Sequence, residues 1–349
     1  MKNKPNTSTA IDLFSGCGGL STGLVQAGFA VLAAAELSNA PQRAYALNHK
    51  FVSLYSDVLQ ISPHQLLSML HLKAGSLDLL AACPPCQGFS SIRTRNKDIA
   101  QDARNELIFE VVRIAKTLLP KCVLIENVPR LMYDSRLKEF RMKMHRLGYE
   151  GEPKIVDAQD YGVPQRRKRM ILILSRVGAI DVAPPTGRRK TVRDAIGNLL
   201  SPDDNHGIPL HNMRQRLSDL VLERISCIKR NRSELPERLV LPCHRRYNGG
   251  FRDVYGRMDW DKVSPTITRS SHNPSKGRFV HPEQNRGLTL YEALLLQGFP
   301  KNYKFPKGIG IGKIASMIGE AVPPPLAKAQ AEHILKKLKE FETTKLRKL

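Results

Sequence analysis

Short apolar runs alternate with helix-like segments over the first half of the chain. Five runs have the length and aliphatic character of buried strands: residues 10–13, 29–35, 77–82, 123–125 and 170–174. Helical patterns follow the first strand over about residues 20–27 and fill residues 106–119, where Pro120 stops the second one. This alternation predicts an α/β fold with a doubly wound, mostly parallel sheet covered by helices on both faces.

The composition changes at residues 178–190, which contain two adjacent prolines and a basic triplet. Such a segment is typical of a domain boundary. We therefore predict a sheet-containing domain over residues 1–185 and a smaller, irregular domain over residues 186–312. Residues 313–349, with a helical pattern at 326–338, are expected to return to the first domain.

The chain is strongly basic, with 55 Lys and Arg against 32 Asp and Glu and a net charge of +23. This excess favours a polyanionic partner, and nucleic acid before a membrane surface, because no basic amphipathic helix stands apart as an anchor. No run approaches the roughly 18 apolar residues of a membrane span, and the N-terminus lacks a signal-peptide core, which predicts a cytoplasmic protein. Free thiols are expected at the six cysteines, at positions 17, 83, 86, 122, 227 and 243.

A glycine-rich turn over residues 12–19 follows the first strand and opens a helix. Glycines at such a turn let the backbone approach a ligand, and the helix N-terminus offers unpaired N–H groups. Ser21 occupies the third glycine position of the dinucleotide-binding pattern, which disfavours NAD and FAD. Glu36, after the second strand, could bind ribose hydroxyls, and Asp57 could meet an adenine amino group. The sequence thus predicts an adenosine-containing cofactor.

A Cys-Pro-Pro-Cys turn with thiols at Cys83 and Cys86 follows the strand over residues 77–82. A C-x-x-C pair could be a redox centre, half of a zinc site, or a turn that presents one nucleophilic thiol. Cys243-His244 supplies too few further ligands for zinc. Glu126 follows the strand over residues 123–125 and is expected at the same carboxyl edge of the sheet, which favours a nucleophile with an acidic partner.

Six ordered blocks of the sequence resemble the DNA cytosine-5 methyltransferases, in particular the bacterial restriction-modification enzymes. The resemblance covers roughly residues 10–330, and its blocks lie at residues 14–19, 84–90, 126–128, 160–169, 288–300 and 319–324. It implies the S-adenosylmethionine-dependent methyltransferase fold with a small target-recognition domain.

The resemblance implies that Cys86 attacks carbon 6 of cytosine and that Glu126 hydrogen-bonds or protonates N3. Arg167 is then expected to hold the cytosine carbonyl oxygen, and Gln165 and Arg169 to organise the site. The chemistry needs such groups, because carbon 5 is a poor nucleophile until a thiol adduct pushes electron density onto it. A stacked base is inaccessible, so the target cytosine must be flipped out of the duplex.

The resemblance also implies a cofactor, S-adenosylmethionine, with S-adenosylhomocysteine as product and no metal. The expected cofactor contacts are Phe14, Ser15, Gly16, Gly18, Gly19, Glu36, Leu37, Asp57, Val58, Pro85, Leu107 and Val322.

Double-stranded DNA is the partner that the resemblance implies, with a cognate restriction endonuclease acting on the same site and a monomeric enzyme as further expectations. In this family, the segment that matches residues 87–105 is a loop that closes over DNA. Arginine-rich segments suit phosphate contact, with a minority of side chains reading base edges. The expected DNA contacts are Ser90, Arg93, Arg95, Arg245, Arg246, Arg252, Arg257 and Arg269.

One position departs from the family: Glu320 stands where asparagine is common, which loses two N–H donors and puts cofactor affinity in question. Two other functions stay open. A tRNA cytosine-5 methyltransferase would use the same catalytic set, although the long basic region before Leu288 suits duplex DNA. A non-catalytic DNA-binding regulator would not need Cys86 and Glu126, which are both present.

Overall fold

The computed structural model describes residues 8–85, 106–187, 189–204, 207–230, 232–241 and 253–346. The chain forms two units. The first contains Met1–Tyr161, Lys168–Thr186 and Val322–Leu349, and the second contains Gly162–Arg167 and Gly187–Ala321. The chain returns to the first unit at Val322, whereas the sequence analysis expected the return near residue 313.

The first unit is built on a seven-stranded sheet in the order β3-β2-β1-β4-β5-β7-β6. Its strands are β1 (Thr9–Leu13), β2 (Ala30–Ala35), β3 (Ser53–Tyr55), β4 (Leu79–Ala82), β5 (Cys122–Asn127), β6 (Lys154–Asp157) and β7 (Lys168–Ser175). The four pairings among β1 to β5 are parallel, and β7 pairs antiparallel with both β5 and β6. The predicted α/β fold with a mostly parallel sheet is confirmed, and the antiparallel edge is an addition to it.

The helices of the first unit are α1 (Gly19–Ala27), α2 (Asn39–Asn48), α3 (Pro63–Met69), α4 (Ile108–Leu118), α5 (Ser135–His145) and the C-terminal α11 (Pro324–Leu346). Helix α4 buries Val111, Ile114 and Leu118 on one stripe against the apolar residues of the central strands. Helix α11 packs closely on α1, where a Cβ on Gly23 would lie 2.5 Å from Cβ of Ala327. A side chain at position 23 would therefore push the two helices apart.

The second unit contains the short helices α6 (Val192–Ile196), α7 (Pro209–Asn212), α8 (Asp219–Ser226), α9 (Leu290–Leu296) and α10 (Ile311–Glu320). Its centre is α9, all seven residues of which are buried. Thr289 and Glu292 cap this helix reciprocally, and Glu292 also forms two hydrogen bonds with Arg286, at 2.7 and 2.6 Å. Where the structure describes the chain, no helix is both long and apolar enough to cross a membrane.

Candidate active site

The glycine-rich turn joins β1 to α1 and carries three positive φ angles, 61° at Phe14, 56° at Gly16 and 99° at Gly18. The positive φ of a bulky aromatic residue such as Phe14 is uncommon and marks a constrained turn. A Cβ built on Gly16 would meet nothing within 4 Å, so the turn is held open on that side. A ligand can therefore approach the backbone of the turn at Gly16.

Glu36, just beyond β2, is fixed by this turn. Its carboxylate accepts hydrogen bonds from the backbone N–H of Gly16 at 3.0 Å and from that of Ser38 at 2.8 Å. Ser15 N–H donates to the carbonyl of Ala35, which joins the turn to the end of β2. The structure therefore brings together Glu36 and the glycine-rich turn, as the sequence analysis expected.

A buried polar network beneath the turn was not anticipated. The Ser21 hydroxyl donates to Asp12 at 2.6 Å and lies 2.7 Å from the Tyr45 hydroxyl. Burial raises the pKa of Asp12 to about 7, against the opposing effect of the Ser21 hydrogen bond. Ser21, which breaks the dinucleotide pattern in the sequence, is thus a structural partner of Asp12 and Tyr45.

Asp57 and Val58 lie just after β3. Asp57 caps the 3₁₀ turn Val58–Gln60 by accepting a hydrogen bond from Leu59 N–H at 3.0 Å. Arg113, on α4, donates to the carbonyls of Val58 at 2.9 Å and of Ile61 at 2.8 Å. The role of Arg113 could not be predicted, because nothing in a helical pattern shows that an arginine reaches a loop more than fifty residues away.

The remaining expected cofactor residues of the first unit differ in exposure. Leu37 is 73% exposed beside Glu36, whereas Val58 and Val322 are buried. Phe14 and Leu107 are partly buried and pack against the apolar core of the first unit. Leu37 is therefore the residue in this set with the most apolar surface free for a ligand.

Glu126 lies near the carboxyl end of β5 and is 8% exposed. Arg169, at the start of β7, places Nε 2.8 Å from Oε1 of Glu126. Asn127 donates from Nδ2 to the carbonyl of Pro84 at 3.0 Å, which ties β5 to the Pro-Pro turn that precedes Cys86. The carboxylate of Glu126, the guanidinium of Arg169 and the backbone of Pro84, two residues before Cys86, therefore lie at one edge of the sheet.

Gln165 and Arg167 belong to the second unit. Gln165 is completely buried; it donates to Gln297 Oε1 at 2.7 Å and accepts from Ile267 N–H at 2.9 Å. Arg167 is 3% exposed and donates to the carbonyls of Ile267 at 2.9 Å and Gly319 at 2.8 Å. The guanidinium of Arg167, which was expected to hold the cytosine carbonyl oxygen, is instead bound to backbone carbonyls. Arg169 is the arginine that contacts Glu126.

Several expected site residues lie outside the described residues: Cys86, Ser90, Arg93, Arg95, Arg245, Arg246 and Arg252.

Arg257 is a correction among the expected DNA contacts. Its side chain is buried and donates to four backbone carbonyls, including those of Ile225 and Ile228, both at 2.7 Å. Its burial lowers the pKa of the guanidinium from its usual value. Arg257 therefore holds the second unit together and is not available to a phosphate.

Arg269 is 60% exposed at its side chain and lies 3.3 Å from Glu320, itself 56% exposed. Glu320, which stands where asparagine is common in the family, thus places a carboxylate beside this arginine on the surface of the second unit. Arg269 remains a predicted phosphate contact, with its charge partly balanced by Glu320.

The sheet order, with a single strand antiparallel to its two neighbours at one side, and the flanking helices define the S-adenosylmethionine-dependent methyltransferase fold. The family model of C-5 cytosine-specific DNA methylases matches residues 8–336. The chain therefore belongs to the C-5 cytosine-specific DNA methylase family and is a cytosine-5 methyltransferase of the restriction-modification type. The resemblance inferred from the ordered blocks is confirmed.

Relatives and solved structures agree over nearly the full length. The chain is 34% identical to Type II methylase M.HgiDII of Herpetosiphon aurantiacus, covering 93% of this chain and 94% of the relative. It is 36% identical to Type II methyltransferase M1.HphI of Haemophilus parahaemolyticus, covering 94% and 87%. The structure of a prophage-encoded E. coli protein assigned as a DNA modification methyltransferase matches with a TM-score of 0.74 at 25% identity, over 95% of this chain and 100% of that one.

Proposed function

We propose that this chain methylates carbon 5 of a flipped-out cytosine in duplex DNA, using S-adenosylmethionine and a covalent bond between Cys86 and carbon 6. The observation that carries the proposal is the Glu126–Arg169 pair at the sheet edge to which Asn127 ties the turn before Cys86. A carboxyl group and a guanidinium at that edge are what a cytosine ring needs when it accepts a nucleophile.

The residues act on the ring as follows. The Cys86 thiolate adds to carbon 6 while Glu126 supplies a proton to N3, so the electron pair of the carbon 5–carbon 6 double bond becomes available at carbon 5. Arg169 stabilises the charge on the ring and keeps Glu126 oriented. When bound, S-adenosylmethionine would supply the methyl group, because the methyl carbon on its sulfonium is electrophilic. A solvent base then takes the carbon 5 proton, the carbon 5–carbon 6 double bond re-forms, Cys86 leaves as thiolate, and N3 returns its proton to Glu126.

The glycine-rich turn fits this cofactor. Gly16 leaves space at the turn, and Glu36 offers carboxylate oxygens to ribose hydroxyls next to it. Asp57 and Val58 would meet the adenine, and Leu37 offers an apolar face to it. Each of these residues lies at the carboxyl end of a parallel strand or in the loop that follows, where open α/β sheets bind their ligands.

Arg113 should control cofactor affinity without touching the cofactor. Replacing Arg113 with Met removes the hydrogen bonds to Val58 and Ile61 and loosens the segment that carries Asp57. We expect the Kd for S-adenosylmethionine to rise about tenfold, or ~1.4 kcal/mol, in isothermal titration calorimetry. Lys116→Met, at an exposed position on the same helix, is the matched control and should bind like wild type. An unchanged Kd for Arg113→Met would show that the segment holds its place unaided.

Arg167 and Arg169 should respond differently to substitution. Arg169→Gln removes the guanidinium beside Glu126, and we expect kcat to fall about 10²-fold. Arg167→Gln leaves carbonyls of Ile267 and Gly319 unpaired, so its main effect should be a lower melting temperature. Single-turnover kinetics and thermal melting separate the two. Equal losses of kcat at unchanged stability would contradict a role of Arg169 in the reaction and of Arg167 in stability.

The proposed function is tested by transfer of labelled methyl from S-adenosylmethionine to unmethylated genomic duplex DNA, with bulk tRNA in a parallel reaction. Label in DNA as 5-methylcytosine within one short sequence context supports the proposal. Label in tRNA alone would move the substrate to RNA. DNA binding without transfer to either would identify a non-catalytic regulator.

We further infer that the methylated sequence is the site of a cognate restriction endonuclease, since the relatives are named Type II methylases. Once bisulfite sequencing has identified the sequence context, the methylated DNA should resist cleavage by Type II endonucleases that recognise that sequence. Cleavage as efficient as that of unmethylated DNA would contradict a protective role.

A further inference from the structure

Helix α2 contacts both parts of the predicted cofactor site, Glu36 and the glycine-rich turn, through side chains on one of its faces. Gln42, Tyr45 and the C-cap residue His49 are spaced three and four residues apart, which places them on the same side of the helix. Gln42 donates from Nε2 to the backbone carbonyl of Glu36 at 2.6 Å. Tyr45 and His49 instead contact α1, the helix that begins at the end of the turn.

Tyr45 is completely buried, and its hydroxyl lies 2.7 Å from that of Ser21 on α1. The Ser21 hydroxyl donates its own hydrogen to the Asp12 carboxylate at 2.6 Å, so Tyr45 is the donor in the pair with Ser21. Burial and the charge of Asp12 raise the pKa of Tyr45 above its ordinary value, which keeps the phenol protonated for this role. A chain of hydrogen bonds therefore runs from α2 through α1 to β1.

This chain of hydrogen bonds spans the glycine-rich turn. Asp12 lies at the end of β1, where the chain enters the turn, and Ser21 is the third residue of α1, where the chain leaves it. His49 adds a contact closer to the turn, because its Nε2 lies 3.3 Å from Oγ1 of Thr22, which donates to the carbonyl of Gly18 at 2.7 Å. Helix α2 thus fixes the two ends of the turn relative to each other.

The residues of this chain cannot act by touching a ligand. Asp12, Ser21 and Tyr45 are all 0% exposed. The turn and Glu36 also meet directly, since the carboxylate of Glu36 accepts from Gly16 N–H at 3.0 Å, but that bond uses the carboxylate that would receive the ribose hydroxyls. The links through α2 leave this carboxylate free.

We propose that Tyr45 is a positioning residue for the cofactor, which holds the glycine-rich turn in place beside Glu36 so that one molecule of S-adenosylmethionine can bind both. This inference rests on the proposed function, because it takes the turn and Glu36 as the binding site of that cofactor. Gln42 supports the same arrangement from the Glu36 side.

The test is Tyr45→Phe, which removes the hydroxyl and keeps the ring. We expect Kd and KM for S-adenosylmethionine to rise about tenfold, as for the loss of one buried hydrogen bond, with kcat at saturating cofactor and KM for DNA unchanged. Ser21→Ala should also weaken binding, and the double variant should bind about as weakly as Ser21→Ala alone, because both changes break the same link. Isothermal titration calorimetry measures Kd, and steady-state methyl transfer measures the kinetic constants.

Tyr149→Phe is the matched control. Tyr149 is 1% exposed, and its hydroxyl donates at 2.6 Å to the carbonyl of Pro120, which precedes the amino end of β5 and so lies at the opposite end of the sheet from the cofactor site. This variant should lose melting temperature as Tyr45→Phe does, yet bind S-adenosylmethionine like wild type. A wild-type Kd for Tyr45→Phe, or an equal rise in Kd for both variants, would overturn the inference.

Gln42→Met keeps the test decisive if Tyr45→Phe does not fold, since Gln42 is only half-buried. Loss of its bond to the Glu36 carbonyl should raise Kd about threefold, and an unchanged Kd would overturn the inference. A wild-type chain that does not bind S-adenosylmethionine would instead overturn the proposed function, and this inference with it.

Discussion

Replacing Cys86 with serine is expected to reduce methyl transfer by about 10⁴-fold or more, because the hydroxyl is a far weaker nucleophile than the thiolate at neutral pH. Binding of DNA and of S-adenosylmethionine should persist, since the substitution changes one atom and neither the charge of the second unit nor the glycine-rich turn. Filter assays of labelled methyl transfer, with DNA binding measured on the same preparations, separate the two effects.

Cys227→Ser is the control for this experiment, because Cys227 is an exposed free thiol in the second unit. It should methylate DNA at the wild-type rate. Transfer by Cys86→Ser within about tenfold of wild type would mean that carbon 5 is activated without a Cys86 adduct, and the proposed roles of Glu126 and Arg169 would then need revision.

The second large effect is on stability, at the buried ion pair between Arg286 and Glu292. Glu292 is 1% exposed and accepts two hydrogen bonds from the guanidinium and one from Thr289 N–H at 2.8 Å. Glu292→Gln leaves the Arg286 charge buried without its partner. We expect a loss of about 3–5 kcal/mol and a melting temperature lower by roughly 10 °C. Differential scanning calorimetry measures both.

The control for this prediction is Asp261→Asn, which breaks the exposed pair with Arg193 and should leave the melting temperature unchanged. An equal, small shift for both variants would show that the buried pair contributes no more than a surface one.

The same region should make the protein less stable as the pH falls. Burial lowers the pKa of His281 to about 4, against the opposing charge of Glu292, so its neutral form is favoured in the folded state. Burial alone would raise the pKa of Glu292, but hydrogen bonds and charge from Arg286 outweigh it and place the pKa below its usual value. In both cases the unfolded chain binds more protons, so stability is full at neutral pH, declines below about pH 6.5 through His281, and declines further at lower pH through Glu292.

Much of the fold could be predicted because its central strands are short apolar runs. The predicted strands correspond to β1, β2, β4, β5 and β7, each of which pairs with neighbours through buried residues. Strand β6 was missed because its four residues are exposed or half-buried and show no apolar alternation. The antiparallel direction of β7 could not be predicted, because an apolar run does not show which way its strand pairs with its neighbours.

The site could be predicted where function requires a fixed residue type at a fixed place. The glycine-rich turn and Glu36 follow strand ends, and Glu126 lies near the carboxyl end of β5. The roles of the arginines could not be predicted, because an arginine in the sequence does not reveal whether it faces solvent. Arg257 and Arg167 proved to be buried donors to backbone carbonyls.

The proximity of Cys83 to the end of β5 also depends on packing, since it follows from the register of β4 and β5, which neither segment encodes by itself. The same holds for Arg113, whose partners lie in a loop that precedes its helix by about fifty residues.

Trapping on fluorinated DNA tests whether Cys86 forms a covalent bond with the target cytosine. Duplex DNA synthesised with 5-fluorocytosine presents every sequence context, and after methyl transfer the carbon 5 fluorine cannot leave as a proton does, so the thiol adduct persists. We expect a denaturation-resistant protein–DNA complex that forms only with S-adenosylmethionine. Its cross-linked peptide should contain Cys86, and Cys86→Ser should not form it. A complex mapped to another residue, or methylation of ordinary DNA without any trapped complex on the fluorinated duplex, would contradict it.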